Sequence, residues 1–158
     1  MTDQFYFTAL AGIALSVAGF AGLVTALRHE GRWSRADLWR LRNIVQVSLT
    51  VVVLGLIAQP IYRAVGGDEQ LTIRIVSALL VLVFADGIRS AVSERGEWGA
   101  AWARRTVAIV GAQLVAQLAN VLIASLPLLL FGLLLALIFP MQLFLRVIRD
   151  FQPPTDDL

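Results

Sequence analysis

The chain has no cysteine and no lysine, a single histidine, and charged residues at only 15 % of its 158 positions. Without cysteine there are no disulfides, no thiol nucleophile and no thiolate metal site. Without lysine there is no Schiff-base chemistry and no phosphate-loop lysine. His29 alone cannot build a metal centre, because no carboxylates stand at ligand-like spacing around it. Also missing are His-Glu-x-x-His, Gly-x-Ser-x-Gly, a glycine-rich phosphate loop, an intramembrane acid pair and a Thr-Val-Gly-Tyr-Gly filter. An embedded enzyme needs several polar groups converging at one depth, and the sequence offers no such set. It therefore reads as a non-enzyme with no metal and no cofactor.

What the chain does have is apolar residues, at 58 % of positions and with a mean hydropathy of +0.78. An average soluble domain holds roughly 45–50 % apolar and 25 % charged residues. The balance excludes a disordered tail, a nucleic-acid-binding domain and a disulfide-stapled secreted module. It indicates an all-α integral membrane protein forming one transmembrane domain over residues 1–158.

A crossing of the hydrocarbon core takes about 20 largely apolar residues. Spans are expected at about 5–27, 44–62, 71–88, 106–124 and 127–145, with 146–158 a cytoplasmic tail. The uncharged stretch from Thr106 to Leu145 is about twice one crossing, so it is divided at Ala124-Ser125-Leu126-Pro127. Ser125 can cap a helix there, and proline is tolerated in a first turn. A span followed by a re-entrant segment is the alternative.

Eleven of the thirteen arginines fall on one side of this arrangement, leaving Arg63 and Arg74 on the other. The positive-inside rule then places the N-terminus outside and the C-terminus inside a cytoplasmic (inner) membrane. Asp3 precedes the first span and basic residues follow it, which suits a retained N-out anchor rather than a cleaved signal. Trp33, Trp39, Trp98 and Trp102 share the basic side, at headgroup depth. Anionic lipid headgroups on the cytoplasmic face are the expected partners of that side; nucleic acid is not.

Sliding the chain on itself by 65 positions aligns Gly22, Gly31, Trp33, Ala36 and Arg40 with Gly87, Gly96, Trp98, Ala101 and Arg105. Ile44 and Leu49 fall on Ile109 and Leu114 in the same register. This reads as an internal repeat of two tandem helical hairpins, with the fifth span a peripheral helix. The leucine-rich run from Leu128 to Phe139 suits a lipid-facing surface. Gly31 and Gly96 can end helices, Ser34 with Asp37 resembles a capping box, and Trp33 to Arg42 suits a short interfacial helix. The two Trp turns, with Arg40 and Arg105, seat on the membrane surface or dock a partner.

Polar groups within the spans carry the functional reading. Gln113, Gln117 and Asn120 share a face of span four, and Asn43, Gln46 and Thr50 share one of span two. They can hydrogen-bond between helices, or line a neutral polar path. Asp86 is the one acid in the apolar part of a span, with Arg89 three residues on, so the pair is either a structural ion pair or an ion or proton site. Gly12, Ser16 and Gly19 on one face of span one, and Ala11, Ala14, Ala18 and Ala21 on another, allow close helix approach. The function expected is an oligomeric ion channel or transport protein with its path lined by span four. The alternative is a non-transporting scaffold or accessory subunit that docks partner proteins.

Overall fold

Each apolar run forms one helix, because a chain in hydrocarbon must satisfy its backbone groups within itself. The computed structural model describes residues 4–27, 35–93 and 100–149. Its helices are α1 (Gln4–Leu27), α2 (Arg35–Ala64), α3 (Glu69–Ser93), α4 (Ala100–Ile123) and α5 (Leu126–Arg149). All five are long and apolar enough to cross a membrane, as in a multi-pass membrane protein. Consecutive helices run antiparallel, up and down.

Two short links set this order. Between α2 and α3, Gly67 N–H donates to Tyr62 O at 2.8 Å and Gly66 N–H to Arg63 O at 3.2 Å. This is a Schellman closure, and it requires the left-handed φ of 71° at Gly66. Asp68 then caps α3, its Oδ1 accepting Leu71 N–H at 2.9 Å. Between α4 and α5 only Ala124 and Ser125 intervene, and the whole of Thr106 to Leu145 is helical otherwise. Ser125 O accepts Leu129 N–H at 3.1 Å, opening α5.

Within the stretch expected as a separate interfacial helix, the described residues 35–42 are instead the first part of α2, which runs unbroken for 30 residues. At 1.5 Å per residue that is about 45 Å, longer than the ~30 Å hydrocarbon core.

The peripheral placement of the last span is corrected. α5 packs against all four other helices, most extensively α2, and its span is the most buried of the five. Leu129, Leu133 and Leu137 are enclosed by Val51 and Leu54 of α2 and by Val76 and Leu80 of α3. A second cluster joins Leu143 to Ala21, Leu41 and Ile44. α4 is the least buried span, presenting Val115, Leu118, Leu122 and Ile123 outward.

The pairs α1–α2 and α3–α4 are both extensive, as two hairpins require. Yet the positions matched by the 65-residue offset do not share environments. Ile44 is fully buried, whereas Ile109 is 64 % exposed. Gly22 faces open space, whereas a Cβ at Gly87 would meet Val110. α5 packs far more extensively on α2 than on α4, and that unequal docking separates the two halves.

Candidate functional site

The polar face of α4 turns inward, against α3 and α5. Asn120 is fully buried; its Nδ2 donates to Ser77 Oγ at 2.9 Å and its Oδ1 accepts Ser125 N–H at 2.8 Å. Ala124 carries a left-handed φ of 57°, which costs a non-glycine residue roughly 1–2 kcal/mol. The Asn120 side chain bridges that strained turn and offsets its cost. Gln117, also fully buried, donates from Nε2 to Leu128 O at 3.0 Å. It lies over Gly132, where a Cβ would run into the amide. Oε1 of Gln117 and Oε1 of half-buried Gln113 are enclosed with no protein donor. Within one chain, then, Gln117 and Asn120 meet packed helices rather than an open path.

Span two's polar face meets a different neighbour from span four. Arg42, Asn43, Gln46 and Thr50 line one wall of a groove whose volume is about 480 Å³. Asp86, Arg89, Ser90 and Ser93 of α3 line the other. The Gly66–Gly67 turn holds α2 and α3 together at one end, and toward the arginine-rich end the groove separates them. Thr50 turns its hydroxyl back to Gln46 O at 2.8 Å. Among the described residues no ion pair joins Asp86 to Arg89, and both stand exposed on the groove.

So the structure brings Gln46 and Thr50 together with Asp86 and Arg89, and separates all four from Gln117 and Asn120. Sequence reasoning missed Arg42 and Ser93 as wall residues. Their signal was the spacing of positions 42, 46 and 50 and of 86, 89 and 93, each one face of a helix. A short link makes α2 and α3 neighbours, which favours matching those faces to each other.

Near the opposite end, a cavity of about 70 Å³ between α1 and α2 is lined by Gln4, Thr8 and Gln59. There a Cβ on Gly55 would lie 3.0 Å from Phe7 O, so this glycine permits the close α1–α2 crossing. Ala11, Ala14 and Ala21 form the inward face of α1. Gly12 and Gly19 face open space.

Trp33 and Trp98 lie outside the described residues, as do His29, Gly31, Ser34 and Gly96, and the side chains of Asp37, Trp39, Arg40 and Trp102. Arg105 is exposed on the first turns of α4. Among the described residues no three His, Asp or Glu side chains are placed to hold a metal ion. Compared with models of protein families, with curated proteins and with solved structures, the chain matches none.

Proposed function

We propose that the chain is a small transport protein of a cytoplasmic (inner) membrane, working as a homo-oligomer, whose polar route begins in the α2–α3 groove. One observation carries this reading. Charged and neutral polar groups of two helices face each other along a groove that runs from Arg42 to Thr50. Those nine residues rise about 12 Å along the helix, reaching toward the middle of the span. Asp86 and Gln46 are its ion- or proton-handling groups, because a carboxylate and an amide oxygen can replace part of a hydration shell. With the N-terminus outside and the C-terminus inside, the groove opens to the cytoplasm. The span-four amides act as internal glue that holds α3, α4 and α5 in register. No catalytic step belongs to this reading.

The test is flux of potassium, chloride and protons into liposomes containing the purified full-length chain. Asp86→Asn and Gln46→Leu are expected to change flux several-fold with assembly intact, while Gln117→Leu lowers stability instead. Flux indifferent to every groove substitution would overturn the reading. A second reading, a scaffold or accessory subunit, draws on Gly12 and Gly19, whose smooth face on α1 meets open space. A stoichiometric complex with a different protein in native mass spectrometry, with no flux by the chain alone, would favour it.

A further inference from the structure

We propose that the α2–α3 groove binds the headgroup of one anionic phospholipid, entered sideways from the cytoplasmic leaflet. This inference rests on the site and orientation of the transport reading and places a lipid at the mouth of the same groove.

Three properties of the groove point to this occupant. The first is its charge. Two guanidiniums, Arg42 and Arg89, stand against a single carboxylate, Asp86, so the groove has one positive charge in excess. A phosphodiester bears one negative charge and neutralises it. Guanidinium suits phosphate in particular, because its planar fork donates two parallel hydrogen bonds.

The second is the order of groups along the groove. Arg42, Arg89 and Ser93 lie toward the arginine-rich end, Asp86 and Gln46 about one turn deeper, and Leu82, Val83 and Val47 are interleaved with and below them. Polarity falls with depth, as it does along a lipid from phosphate to acyl chain. Gln46, one turn below the arginines, lies at the depth of a lipid's ester carbonyls and can donate its amide to one, and the net positive charge favours an anionic headgroup over zwitterionic choline. The third is the rim. Leu82 is 66 % exposed and Leu49 and Val53 are also exposed, so the surface beside the groove is apolar. A free phosphate gains nothing from such a rim, whereas an amphiphile lays its chains along it. Basic pockets between membrane helices on the cytoplasmic side are a known chemistry for anionic headgroups.

The experiment uses the full-length protein in nanodiscs of phosphatidylcholine and phosphatidylglycerol in equal parts, then released into detergent for native mass spectrometry. Phosphatidylglycerol is expected to stay bound in preference to phosphatidylcholine, at one molecule per chain. Arg42→Gln and Arg89→Gln should each weaken retention about tenfold, the scale of one charge-assisted hydrogen bond. Ser90→Trp, which fills the groove and leaves both arginines, should abolish retention in a chain that still elutes as the native assembly. Arg63→Gln and Arg74→Gln, at the other end, should leave it unchanged. Equal losses at both ends, or retention untouched by Ser90→Trp, would overturn the proposal. Displacement of the lipid by soluble glycerol phosphate at similar concentration would overturn it too, assigning the groove to a free anion. Since retention is read without flux, a protein that holds lipid and moves no ion refutes the transport reading alone.

Discussion

Asn120 shows how much one side chain can hold within a membrane-spanning bundle. It bonds α3 through Ser77 and closes the α4–α5 turn through Ser125, so three elements depend on one amide. Asn120→Leu fits the volume but leaves the Ser125 N–H without that acceptor, beside an alanine already in a left-handed conformation. The expected loss is about 1–3 kcal/mol, read as a lowered melting temperature in detergent. Ser77→Ala removes one bond of the set, and a double-mutant cycle should give a coupling of about 0.6–2 kcal/mol. Additive effects would show that the two residues act separately. The amide face of span four is legible in the sequence as a polar stripe with helical spacing. Its partners are not, because partner choice depends on helix order and rotation. The same limit applies to Gln46 and Thr50: their shared face is legible, but its place opposite Asp86 is not.

At the scale of elements, the five helices were legible because each crossing needs a long uncharged run, and charges mark where runs end. The place of α5 was not. In water, an all-apolar helix declares itself buried; in a bilayer, lipid tails are as apolar as leucine, so hydropathy cannot tell core from periphery. α5, the most leucine-rich, became the hub, and α4, which carries the amides, became the most exposed. The repeat shares this limit: matched residues such as Ile44 and Ile109 keep identity while their surroundings differ. The distinction can be measured. Leu133→Ala leaves a cavity among α2, α3 and α5 and is expected to cost about 2–5 kcal/mol. Ile109→Ala, at a position 64 % exposed, should cost well under half of that. Equal costs would place α5 outside the bundle after all.

For the whole molecule, the arginine asymmetry and the bundle geometry meet in one consequence. The up-and-down order sends the ends of α1, α3 and α5 and the starts of α2 and α4 to the same end of the bundle, and eleven of thirteen arginines flank those ends. An excess of arginine resists translocation, so that end is expected to remain in the cytoplasm. The groove opens at that end, and on the proposed orientation its two arginines and Asp86 would lie within reach of cytoplasmic solutes and of the inner leaflet alike. Because the chain has no cysteine, any single introduced cysteine reports on its own position alone. Gln70→Cys sits at the exposed start of α3 on the arginine-poor end, and Ser93→Cys at its exposed finish. In intact cells a membrane-impermeant maleimide should label the first and spare the second until the membrane is opened. The reverse pattern would invert the molecule, turning the groove to the outer leaflet, where the positive surface would no longer face the leaflet richest in anionic lipid. Labelling of both in every cell would mean two orientations coexist, and a groove built for one leaflet would then serve only half of the molecules.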